Sequence, residues 1–145
     1  MKLPAFVTVV LCLCWSLQSS GEDNGDFDPE LEDLSAQYAE CAAYFRLAYF
    51  ALMNSGAEES AGSIREVEDS MMLVALALAS VERDQDMAVE VTNSRIEFSM
   101  KMMKQEINNR NENFSILMNK YQLPCQEKLT NPKERVADAL SRFAG

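Results

Sequence analysis

The sequence predicts an all-α chain: an antiparallel bundle of four to five helices with one disulfide. Three observations carry that prediction. Apolar residues recur at alternating three- and four-residue spacing over long stretches. Neither glycine nor proline occurs between Ser63 and Leu123. Two of the four cysteines, Cys41 and Cys125, remain once an N-terminal leader is set aside.

Residues 1–21 read as a removable signal peptide. Lys2 supplies a positive start, Phe6 to Trp15 an apolar run, and Ser19 and Gly21 the small residues of a cleavage site. The run is short for a membrane span, so the mature chain is not expected to be an integral membrane protein. Residues 22–27 continue as an acidic arm with the composition of a disordered leader. Its aspartates lack the glycine and glutamate spacing of a calcium loop. The folded domain is expected over 28–145, in a periplasmic or extracellular setting. An even cysteine count in an exported chain suggests a bond between Cys41 and Cys125; two buried free thiols are the alternative.

The first helix should start at Asp28, which can cap, with Pro29 at the first helical position. Leu31, Leu34, Tyr38, Cys41, Phe45, Ala48 and Leu52 form its seam, and Asn54 to Gly56 should end it. The second should begin near Ser60, with Ile64, Val67, Met71, Val74, Leu78 and Val81 as its seam. Met71 to Val81 carries no charge, the pattern of a helix in the middle of a bundle.

The polar clusters Glu82–Asp86 and Asn108–Asn113 are expected to be turns. Helices of about 40, 36 and 32 Å then bring a short fourth helix, Phe114 to Leu123, back beside the first. Cys125 arrives near the level of Cys41, as a disulfide requires. The alternative is a long third helix running through the second cluster, because Val89, Asn93, Ile96, Met100, Met103, Ile107 and Phe114 keep helical spacing across it. The cysteines would then be free or bonded between chains. Pro124 should stop the fourth helix, with Asn113 or Ser115 capping its start. A last helix opens at Asn131 and Pro132 and presents Val136, Leu140 and Phe143 as one narrow stripe.

The segments YAECAAYF (Tyr38–Phe45), SILMNKYQLPC (Ser115–Cys125) and NPKERV (Asn131–Val136) resemble small exported bacterial helical proteins with one early and one late cysteine. The resemblance covers most of the chain beyond the leader. It implies export and the disulfide, and it implies no activity.

Composition narrows the function. The chain has no histidine, so the usual general base and the commonest metal ligand are missing. Thirteen basic residues face 23 acidic ones, a formal net charge of −10, which disfavours nucleic acid and anionic membranes as partners. The paired carboxylates around Glu66, Glu68 and Asp69 read as a solvated face. Methionine thioethers suit Cu(I), but nine methionines in a helical chain read first as adaptable core or contact surface, and no metal or cofactor is expected.

The segment Tyr38 to Met53 is apolar beyond one face. Three uses of the extra face compete: the first helix is central, its off-seam aromatics bind a partner, or they line an apolar pocket. The leading expectation is a non-enzymatic interaction module. It would bind a protein partner through Tyr44, Tyr49 and Phe50 together with Met100 and Met103. The alternatives are a carrier of a small apolar ligand in the bundle core and a stress chaperone.

Overall fold

The computed structural model describes residues 27–143. The expected leader over 1–21 and most of the acidic arm lie outside the described residues. The described chain is all-α, with helices α1 (Pro29–Asn54), α2 (Glu58–Ala79), α3 (Gln85–Glu106), α4 (Phe114–Thr130) and α5 (Pro132–Phe143).

Each helix starts or stops for a local reason. The Asp28 carboxylate accepts the amides of Glu30 and Leu31, and Pro29 opens α1. Gly56 takes φ 81° and lets the chain reverse after α1, with the Ala57 amide bonded back to the Leu52 carbonyl at 3.0 Å. Asp84 caps α3 by accepting the Met87 amide at 2.9 Å. Asn108 and Asn109 sit at φ 54° and 56°, in the left-handed region that asparagine tolerates better than most residues. The second polar cluster is therefore a turn, and the long third helix does not form. Asn113 does not cap α4; its side-chain amide donates to the Ile107 carbonyl at 3.1 Å and closes the end of α3 instead.

Helix α1 is the centre of the bundle and packs against all four other helices. Ala39, Ala42 and Ala43 are fully buried and admit neighbours close to its backbone. Helix α2 runs antiparallel beside it and turns Ala61, Met71, Ala75 and Leu78 inward. The contact is close enough for the Ser35 hydroxyl to donate to the Ala75 carbonyl at 2.9 Å. The expectation that α2 also lies in the middle is corrected: Leu73 is 61% exposed. Helix α2 packs mainly on α1 and only lightly on α3, so the side that carries Leu73 has no neighbour among the described residues.

Glu68 also belongs to that interface and is not on a solvated face. Its carboxylate is wholly buried, receives the Arg46 Nε at 2.5 Å, and has Arg65 at 3.5 Å. Helix α3 runs parallel to α1, and α4 descends antiparallel to it. Ala88, Thr92, Ile96 and Met103 are the buried positions of α3, and Ile107 is buried at its C-cap; Ile96, Met103 and Ile107 keep the expected spacing, while Val89 and Asn93 near the start face outward. Ala88 allows a closer approach than Val89 would, and Thr92 turns a methyl group inward where Asn93 would bring an amide.

Cys41 and Cys125 are bonded, with Cα atoms 5.5 Å apart. Pro124 does not stop α4, which continues to Thr130. A proline interrupts only one helical bond and crowds one carbonyl. Buried Tyr121 and Cys125 hold the helix to the core on either side of it. On α5 the docked residues are Val136 and buried Ala139, while Leu140 is exposed; the Phe143 side chain lies outside the described residues.

Two stability outcomes follow from this packing. Replacing both cysteines by alanine removes a cross-link between residues 84 apart. Denaturant titration should show a loss of about 4–5 kcal/mol. Arg46→Leu should cost about 3 kcal/mol because it leaves the buried Glu68 carboxylate poorly compensated. The double variant Arg46→Leu/Glu68→Leu should recover most of that loss, and a double variant no more stable than Arg46→Leu alone would refute the pairing.

Candidate functional site

The inward positions of α3 leave its opposite side open. Residues two apart on a helix lie about 200° apart around the axis, so Phe98 points away from buried Ile96. Met87, Val91, Phe98 and Met102 recur at spacings of four, seven and four, which places them along one outer stripe. Phe98 is 64% exposed, Met87 49% and Met102 42%. Val91 is half-buried among them.

Phe98 forms a ridge between two clefts. On one side Met87, Glu90, Val91 and Ser94 line a cleft of about 470 Å³. On the other, Asp33, Ala36, Gln37 and Glu40 of α1 and Ser99 enclose about 300 Å³. Arg95 lies at the base of both. Its guanidinium is committed inward: it donates to Glu32 and, at 3.0 Å, to the Ser35 hydroxyl. Desolvation lowers the Arg95 pKa from its ordinary value, but an arginine stays charged at any pH of use. Glu32 also accepts from Arg83 at 2.8 Å, so one carboxylate joins α1, the α2–α3 turn and α3.

The other end of α3 is tied to α4. Glu106 accepts both Lys120 Nζ bonds and the Tyr121 hydroxyl, each at 2.9 Å. Burial pushes the Glu106 pKa up, but the bonds from Lys120 and Tyr121 outweigh it and hold the group below the ordinary carboxylate value. The same bond from Glu106 raises Lys120. These two anchors fix the register in which α3 presents its stripe.

The residues expected to form the contact face scatter. Tyr44 is core: it is 4% exposed, with its ring 6.0 Å from both Phe114 and Tyr121, and burial raises its hydroxyl pKa. Met103 is buried as well, and Met100 is half-buried against the core. Tyr44 and Met103 are therefore withdrawn from any contact face. Tyr49 is half-buried, with the Arg65 guanidinium 5.6 Å from its ring. Phe50 alone of the five is exposed, at 47%, beside a cleft of about 360 Å³ floored by Leu47, Ile107 and Phe114. Met100 lines a different cleft from Phe50, and Lys104 and Asn109 line both.

The stripe of α3 is the feature that the sequence reading passes over. Its four-seven-four spacing is as helical as the buried seam one step away. The polar residues Glu90, Ser94 and Arg95 between its members hide it.

Among the described residues no group of three or more His, Cys, Asp or Glu side chains could hold a metal ion. No described helix is long and apolar enough to cross a membrane. Compared with known proteins, the chain matches no family model, no curated protein and no solved structure.

A pH dependence follows from the Glu106 anchor. A depressed carboxyl pKa contributes stability that is full above the unfolded value and is lost as pH falls through the folded one. Tyr121→Phe should therefore be less stable than the parent at neutral pH. That difference should shrink as the pH falls below about 4, and denaturant titrations across that range measure it.

Proposed function

We propose that this chain is a non-catalytic interaction module that binds a protein partner through the outer face of α3. The observation that carries the reading is the uncovered stripe of Met87, Val91, Phe98 and Met102. Apolar surface costs free energy to expose, about 25 cal/mol per Å². A contiguous apolar patch with a polar rim is the usual mark of a docking surface. Aromatic and methionine side chains suit such contacts because they are large and adaptable.

An exported location belongs to the same reading. A disulfide between two buried cysteines fits an oxidising compartment. The resemblance to exported helical proteins with an early and a late cysteine points the same way.

A second reading has its own observation. The cleft beside Phe50 combines an apolar floor with Lys104, Asn54 and Asn109 at its rim, and could admit a small apolar ligand. Such a site would be at the surface; the interior is filled by Tyr38, Met71, Leu78, Ile96, Met103 and Leu117.

A photo-crosslinking amino acid at position 98 tests the leading reading in the producing cell. The expected outcome is an adduct of one defined mass, absent when the same group is placed at exposed Glu59 on α2. Equal adducts from both positions, or none from 98, would falsify it.

A further inference from the structure

The flanks of the α3 stripe say what kind of partner it fits. Glu90 and Glu97 stand on one side of it, with Lys101 and Lys104 lining the same cleft as Glu97, and Asp33 and Glu40 of α1 stand on the other, all exposed. Among the described residues none of the four carboxylates takes part in an ion pair; Asp33 accepts only the side-chain amide of Gln37, at 2.6 Å. Helix polarity does not account for them. An acidic side chain is favoured near a helix N-terminus only within the first turn. Glu40, Glu90 and Glu97 lie beyond the first turns of α1 and α3. Lys101 is close enough in sequence to answer Glu97, yet no ion pair joins them. The arginine at the base of the groove, Arg95, is already bound to Glu32 and Ser35.

We propose that the occupant of this face is a cationic amphipathic helix of another protein. The inference rests on the reading of α3 as a protein-docking surface. The partner lays an apolar stripe along Met87, Val91, Phe98 and Met102, on either side of the Phe98 ridge. Its lysines or arginines meet Glu90 and Glu97 along one edge and Asp33 and Glu40 along the other. The stripe runs for about 22 Å, which four helical turns of the partner match. A helix suits the face because its ridges and grooves follow the same spacing as those of α3. A strand would need an open sheet edge to pair with, and the described residues are helical. A second copy of this chain is opposed by its own charge: the same carboxylates would face each other, on two chains that each carry a net −10.

The test uses the folded chain and the peptide Ac-LKKLLKLLKKLLKL-NH2, an amphipathic Leu/Lys helix. An alternating Leu/Lys peptide of the same length, and a Leu/Glu analogue of the helix, serve as comparators. Affinity is read by fluorescence anisotropy and the site by NMR shift perturbation. The Leu/Lys helix is expected to bind with shifts centred on residues 87–102 and 33–40. Phe98→Ser should weaken it by about tenfold, as for an aromatic anchor. Glu90→Gln/Glu97→Gln should weaken it roughly threefold and flatten its salt dependence. Both variants alter exposed side chains, and an unchanged thermal midpoint verifies their folding.

Equal binding of the alternating peptide, or indifference to Phe98→Ser, would reduce the contact to diffuse charge and overturn the proposal. So would a dimer of the free chain in sedimentation that Phe98→Ser abolishes, which would make a second copy the occupant. Failure of the Leu/Lys helix alongside a persistent adduct at position 98 would sink the cationic chemistry and leave the docking surface standing. Failure of both would remove both readings.

Discussion

The close approach of α1 and α2 is the constraint on which the rest of the bundle depends. Alanines line both sides of that contact, and the Ser35 hydroxyl reaches the Ala75 carbonyl across it. Small residues bring backbones together but bury little area each, so the pair alone is weakly driven. Larger side chains on the remaining circumference of α1 complete the core. Tyr38 and Tyr44 meet α4, and Leu31, Phe45 and Leu47 complete the same cluster. A central helix has only so much perimeter. Once α2, α3 and the α4–α5 arm have taken their shares, nothing among the described residues covers the far side of α3. The exposed stripe is thus a consequence of how the core is built.

Much of this was legible in the sequence, and the residues show why. The start and end of α1 and the turn at Asn108 and Asn109 rest on local chemistry, a cap and a residue that favours turns; the cysteine pair, 84 residues apart, is legible because only two cysteines remain beyond the leader. Local chemistry is written in short stretches and survives without knowledge of neighbours. The errors are of another kind. Tyr44 reads as a contact residue from its place off the seam, and it lies in the core because α4 covers it. Glu68 reads as a solvated carboxylate, and it is buried where Arg46 sits across the interface to receive it. Pro124 reads as a helix stop, and long-range packing carries the helix past it. In α3 the stripe of Met87, Val91, Phe98 and Met102 is as helical as the one turned inward, and packing against α1 and α2 selects Ala88, Thr92, Ile96 and Met103. Each miss depended on a partner distant in sequence.

The acidic surplus is divided in a way that composition cannot reveal. Glu32, Glu68 and Glu106 are answered by Arg83 and Arg95, by Arg46, and by Lys120. These carboxylates join helices, and each lies where two or three elements meet. The unpaired acids beside the α3 stripe contribute nothing comparable to the bundle. Basic residues are fewer than acidic ones, and several of them are spent on the internal joints. The outward charge of the molecule is therefore more negative than a uniform distribution of its residues would make it.

The placement of the cysteines bears on the order in which the chain matures. Synthesis runs from the N-terminus, so Cys41 is made 84 residues before its partner. The helix that brings Cys125 to it is the fourth of five. Until α4 docks, the side of α1 that carries Cys41, Tyr44 and Phe45 has no cover. During that interval the thiol is nucleophilic and stands among aromatic side chains, where a thiol from another chain could reach it. Correct oxidation therefore waits on synthesis of the fourth helix. The bond acts as a late seal on a nearly finished fold, and the hazard it guards against is greatest in the nascent molecule.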